Sequence, residues 1–212
     1  MNLKAYLERR ARATRDTARG KMLWRKAETL DDAGHLVAMW LRQGLHYLPW
    51  DRTPVPYPET LKADGFAEAM ARVNDLGVVT ICSQPGVSRQ REFVEVLLDD
   101  DVRPLRLVPE VAQEVGVKVA RTPDLPFPFE EAVPVTLTLA GRPFTRLGGC
   151  REDVAEQLGF GSPALGVSVA RGRYTPLALY DEQFGRRGRV QDALGRIADR
   201  LQAGALPEAH PQ

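Results

Sequence analysis

Alternation of apolar and polar positions gives this chain several short strands, and a 3.6-residue recurrence gives it the helices between them. Val78, Val79 and Ile81 follow Gly77, so residues 78–83 predict a buried strand. Ser83-Gln84-Pro85-Gly86 ends it, because proline offers no amide to a ladder and glycine frees the turn. On a regular strand Thr80 would share a face with Cys82, and Ser83 would stand at the exit. Residues 93–98 predict a second strand, closed by Asp99-Asp100-Asp101. Val117-Lys118-Val119 alternates briefly. Val135-Thr136-Leu137-Thr138-Leu139 does so with both threonines on one face, and Gly141-Arg142 turns the chain into Pro143-Phe144-Thr145. The span 164–180 alternates too and predicts a hairpin about Gly172.

Leu30, Ala33, Val37, Trp40 and Leu41 recur at helical spacing. Thr29 stands before them as N-cap, Asp31 and Asp32 suit the first turn, and Gly44 closes the run. Phe66, Met70 and Val73 mark a helix to Asn74, with Asp64 in the capping position. Pro104 can open a helix whose buried face is Leu105, Val108, Ala112 and Val115, although Pro109 interrupts the pattern. Residues 151–158 also predict helix. Val190, Leu194, Ile197 and Leu201 form a last amphipathic helix. A proline-rich stretch from Leu48-Pro49-Trp50 through Pro54 and Pro58 leads to Glu59-Thr60, and its stiffness suits either a pocket wall or a linker.

Composition narrows the function classes. The 212 residues carry a net charge of +1, which exerts no overall pull towards nucleic acid or a membrane surface. The chain has no apolar run of membrane-spanning length and no secretory leader, so a cytoplasmic location is expected. Cys82 and Cys150 fit neither metal-ligand spacing nor a disulfide framework. His35 and His46 have no third ligand at metal spacing. Arginines crowd residues 1–21, which read as a basic N-terminal extension. Residues 22–204 read as the domain and 205–212 as a flexible tail. Phosphate-loop, dinucleotide-binding and nucleophile-elbow motifs are all missing. Gly148-Gly149 before a helix is only a weak anion-binding signal. Asp181-Glu182 and Glu130-Glu131 read as solvated acidic pairs.

One set of motifs carries more. Leu48-Pro49-Trp50, then Glu59-Thr60, then Asn74-x-x-Gly77-x-x-Thr80-x-x-Ser83-Gln84-Pro85 resembles the C-terminal regulatory domain of eukaryotic methylenetetrahydrofolate reductase, in the same order and at similar spacing. Weaker likeness continues through Gln90-Arg91-Glu92-Phe93-Val94-Glu95, Val135-Thr136, Pro143-Phe144-Thr145 and Leu179-Tyr180-Asp181. The Ser-Gln-Pro-Gly turn is also similar to that of a group of actinobacterial domains. The resemblance implies an α/β (α+β) fold, a single domain of mixed β-sheet with flanking helices. It also implies helix where alternation predicts strand at 164–171.

That regulatory domain binds S-adenosylmethionine, with S-adenosylhomocysteine competing. By resemblance the ligand contacts are Glu59, Thr60, Thr80, Ser83, Thr136 and Thr145, and Trp50 and Tyr57 are possible aromatic pocket walls. A carboxylate and several hydroxyls suit ribose, ammonium and carboxylate groups, and aromatic faces suit a sulfonium. The reductase's catalytic barrel has no counterpart here, so the leading expectation is a stand-alone sensor acting on a protein partner in trans. The first alternative is an enzyme consuming S-adenosylmethionine, such as a methyltransferase. The second is a ligand-free module binding protein or, less favoured, nucleic acid through the arginine-rich N-terminus.

Overall fold

Helix α2 (Leu30–Leu41) starts where its capping residues place it. The computed structural model describes residues 17–42, 44–45, 47–49, 65–100, 103–121, 132–147, 161–170 and 174–205. The Thr29 hydroxyl accepts from the Asp32 amide at 3.1 Å, and the Asp32 carboxylate accepts in return from the amides of Glu28 and Thr29. This reciprocal capping box serves amides that the first helical turn leaves without partners. The same amides hold the Asp32 carboxyl below its usual range. Thr29→Ala is therefore expected to cost about 1 kcal/mol, read as a lower urea midpoint at unchanged slope.

Helix α1, over residues 17–24, precedes it, burying Trp24 and crossing the expected boundary at residue 21. Helix α3 (Phe66–Asn74) opens at Gly65, which offers no side-chain cap; Asp64 lies outside the described residues. Strands β1 (Val79–Gln84) and β2 (Phe93–Asp99) form a hairpin. Helix α4 (Pro104–Val115) keeps Pro104 in its first turn and carries the exposed Pro109 within it. Strand β3 (Lys118–Arg121) follows, then the hairpin of β4 (Pro134–Leu137) and β5 (Pro143–Arg146). Helix α5 (Pro163–Ala170), strand β6 (Tyr174–Tyr180) and helix α6 (Arg189–Ala205) complete the described chain.

The main sheet runs β1-β2-β6-β3, and each of its pairings is antiparallel, where a mixed sheet was expected. β2 and β3 both oppose β6, so they run parallel to each other with α4 between them in sequence. This is a split β-α-β unit with β6 inserted into the gap. Helices α2, α3, α6 and α4 pack side by side in that order, α2 and α3 against β1, and α4 against β2 and β3. Val94, Val96, Leu98, Leu177 and Leu179 share one buried core with this helical layer. Near the Phe93 end, a smaller apolar cluster forms from Phe93, Val135, Leu147 and Ala178. The result is one α/β (α+β) domain, as expected.

The hairpin expected over 164–180 does not form: residues 163–170 are helix and only 174–180 are strand. Ser162 decides it. Its hydroxyl accepts from the Leu165 amide at 3.2 Å and donates to the Ala27 carbonyl, while its own carbonyl accepts from Gly166. An N-cap followed by proline in the first turn outweighs the alternation of small apolar residues behind it. The expected helix at 151–158 lies outside the described residues.

Candidate functional site

The connection from α3 to β1 explains the first half of the long motif. Asn74 Nδ2 donates to the Met70 carbonyl and to Thr80 Oγ1, each at 2.8 Å, and the Thr80 amide donates back to Asn74 Oδ1 at 3.0 Å. Both residues are buried. Gly77 takes φ of 80°, a left-handed conformation that glycine adopts without strain. Asn74, Gly77 and Thr80 thus form a latch that sets where β1 begins.

Within β1 the register slips by one residue. Thr80 faces Val96 across the hairpin, but Cys82 faces Glu95, so Ile81 is a bulge. The bulge reverses the alternation. Thr80 and Ser83 therefore point to the helical side with Val96 and Val94, while Cys82 and Gln84 point to the other side with Glu95 and Phe93. The face that Thr80 and Cys82 were expected to share does not exist. Cys150 and His46 lie outside the described residues.

Gln84 carries the second half of the motif. Its Nε2 donates to the Arg91 carbonyl at 3.1 Å and to the Val135 carbonyl at 3.3 Å, and its Oε1 accepts from Thr136 Oγ1 at 3.0 Å. Val135 also accepts from the Arg91 amide, and the Leu137 amide donates to Arg89. A single side chain thereby locks β4 onto the segment entering β2. Thr145 lies opposite Thr136 across the β4–β5 hairpin and is exposed. Of the expected ligand residues, Thr136 and Thr145 are brought to this junction, whereas Ser83 adjoins it in sequence but points to the helical side of the sheet. Thr80 is held deeper, at the latch. Glu59, Thr60, Trp50 and Tyr57 lie outside the described residues.

The Pro85-Gly86 turn docks against the loop after β6. A side chain at Gly86 would strike the Arg186 carbonyl, so only glycine fits there. Arg187 Nε donates to the Gly86 carbonyl at 2.6 Å, and the Gly185 amide donates to Gln90. Asp181 was expected in a solvated acidic pair, yet it is fully buried. Its carboxylate accepts from Arg186 Nε at 2.5 Å, Arg186 Nη2 at 2.6 Å and the Gln183 amide at 2.8 Å. These bonds hold the guanidinium charged even more firmly than usual. Glu92, also buried, accepts from the Val190 amide at 2.9 Å and so caps the start of α6 from 98 positions away.

Beside this loop the Arg91 guanidinium lies over the Phe184 ring at 4.4 Å and the Tyr180 ring at 6.0 Å. Burial pushes the Tyr180 phenol above its usual range; Arg91 opposes that shift and Glu182 adds to it. Sequence reading assigned no role to Gln84, Arg91, Phe184 or Arg186. Gln84 stood inside the recognised motif, so its place there was the available signal.

A family model described as a domain of unknown function, DUF6919, matches residues 19–171. The chain belongs to that family. The DUF6919 match takes in the latch, the Gln84 lock, Arg91 and both hairpin threonines, and it ends before β6. Tyr180, the buried Asp181–Arg186 pair and Phe184 lie beyond it. A comparison with curated proteins gives no match.

Proposed function

We propose that the protein binds S-adenosylmethionine or S-adenosylhomocysteine at the junction of β1 with the β4–β5 hairpin. In this reading it is a stand-alone sensor that acts on a protein partner in trans, in the cytoplasm and without nucleic acid. The observation that supports it most is the Gln84 lock, which fixes Thr136, and through pairing Thr145, beside the strand end carrying Ser83. Hydroxyls held by an existing network lose little freedom on binding, which favours affinity for a small polar ligand. Glu59 and Thr60 would complete the contacts, with Trp50 and Tyr57 as aromatic walls. Thr80 would act by position, through the latch, because its hydroxyl already accepts from Asn74. The ligand's identity rests on the motif resemblance. Among the described residues, no helix is long and apolar enough to cross a membrane.

Thermal melting with each adenosyl compound tests this. Binding to the folded state alone should add about 2.7 kcal/mol of stability at a hundred times the dissociation constant. Ser83→Ala should weaken binding by about 0.5–1.5 kcal/mol if it loses one neutral hydrogen bond. An unchanged melt at millimolar ligand would reject the reading. Conversion of S-adenosylmethionine to S-adenosylhomocysteine or methylthioadenosine, above a Glu59→Gln control, would instead make the protein an enzyme that consumes it.

A further inference from the structure

Arg91 differs from the other half-buried arginines of the described chain. Arg72 and Arg200 meet carboxylates of neighbouring helices, Arg186 meets Asp181, and Arg146 donates to the Ala132 carbonyl. Among the described residues the Arg91 side chain has ring contacts instead of an oxygen partner, and its Nε is buried without a hydrogen bond to any of them. A buried donor on a full positive charge is costly to leave unserved, and aromatic faces recover only part of that cost. The Phe184 face covers one side of the guanidinium, and a guanidinium is a planar fork that takes a carboxylate through two parallel bonds.

The backbone of Arg91 is held by the same lock that fixes Thr136, since its amide donates to Val135 and its carbonyl accepts from Gln84. We propose that Arg91 is the anchor for the carboxylate of an amino-acid-bearing ligand at this junction. A monoanion fits better than a phosphate dianion. Glu182 acts on the same Tyr180 ring that Arg91 covers, and Glu92 and Asp181 are buried in the adjoining segments. Asp181 and Glu182 already have Arg186 and Lys118 as counter-ions, which leaves the single Arg91 charge to match one carboxylate. Only the identity of the carboxylate's bearer rests on the adenosyl reading above.

Calorimetric titration of wild type and Arg91→Gln tests the anchor with S-adenosylhomocysteine and with methylthioadenosine, which lacks the carboxylate. Arg91→Gln should weaken S-adenosylhomocysteine binding by about 10- to 100-fold, the range of a hydrogen bond to a charged group, and leave methylthioadenosine binding unchanged. Equal losses for both compounds, or no loss for either, would overturn the anchor while leaving the adenosyl reading in place. If wild type binds neither compound, methionine is the deciding probe. A melt raised by methionine in wild type but not in Arg91→Gln keeps the anchor and rejects the adenosyl ligand. No response to methionine in that case overturns both.

Discussion

Arg186→Met is expected to destabilise the protein by about 3 kcal/mol, the low end for removing one partner of a buried ion pair. Asp181 is fully buried, and the substitution would leave its carboxylate with the Gln183 amide as its one remaining partner among those described. The Arg186 side chain is 30% exposed, so water can reach part of the vacated space, and that argues for the low end. The loss would not stay local. The loop from 181 to 188 holds Gly86 and Gln90 through Arg187 and Gly185, so a loosened loop releases the Ser-Gln-Pro-Gly turn as well. Urea unfolding of the single variant and of Arg186→Met/Asp181→Asn separates the contributions. The double variant should recover part of the loss, because it no longer buries a charge without a counter-ion. A cost below about 1 kcal/mol for the single variant would instead place the pair among solvated surface bridges.

Much of the helical layer was legible because its signals are local. Thr29, Asp31 and Asp32 announce α2, and the apolar recurrence from Val190 to Leu201 marks the buried face of α6. Trp40, on the helical recurrence that marks α2, lies in the core. Other features depend on partners distant in sequence. The bulge at Ile81 is set by pairing with β2, and the antiparallel order of the sheet by β6, which enters between β2 and β3 only late in the chain. Helix α5 misled the periodicity because Pro163 to Ala170 is apolar or small nearly throughout, so alternation and helical recurrence fit equally well; the Ser162 cap carried the better signal. Asp181 looked solvated beside Glu182 because burial depends on Arg186 folding back over it. The junction at Gln84 joins residues 51 and 52 positions apart, a distance over which spacing rules say nothing.

The latch should show the second large effect. Asn74→Ala removes the donor that Met70 and Thr80 share and strands the Thr80 amide, which no strand among the described residues serves at the outer edge of β1. One buried amide without a partner, together with the lost bonds, gives an expected cost of about 2–4 kcal/mol. Thr80→Val is the milder probe. It keeps shape and the amide bond to Asn74 but loses the hydroxyl acceptor, so about 1 kcal/mol is expected. The same variant also separates position from contact. If Thr80 acts only through the latch, Thr80→Val lowers the urea midpoint while affinity for S-adenosylhomocysteine stays within about twofold. If its hydroxyl also reaches the ligand, affinity falls further than Ser83→Ala makes it fall, because the lost bond is the more deeply buried one. A variant with unchanged stability would show that Asn74 finds another acceptor, and that Thr80 does not set the start of β1.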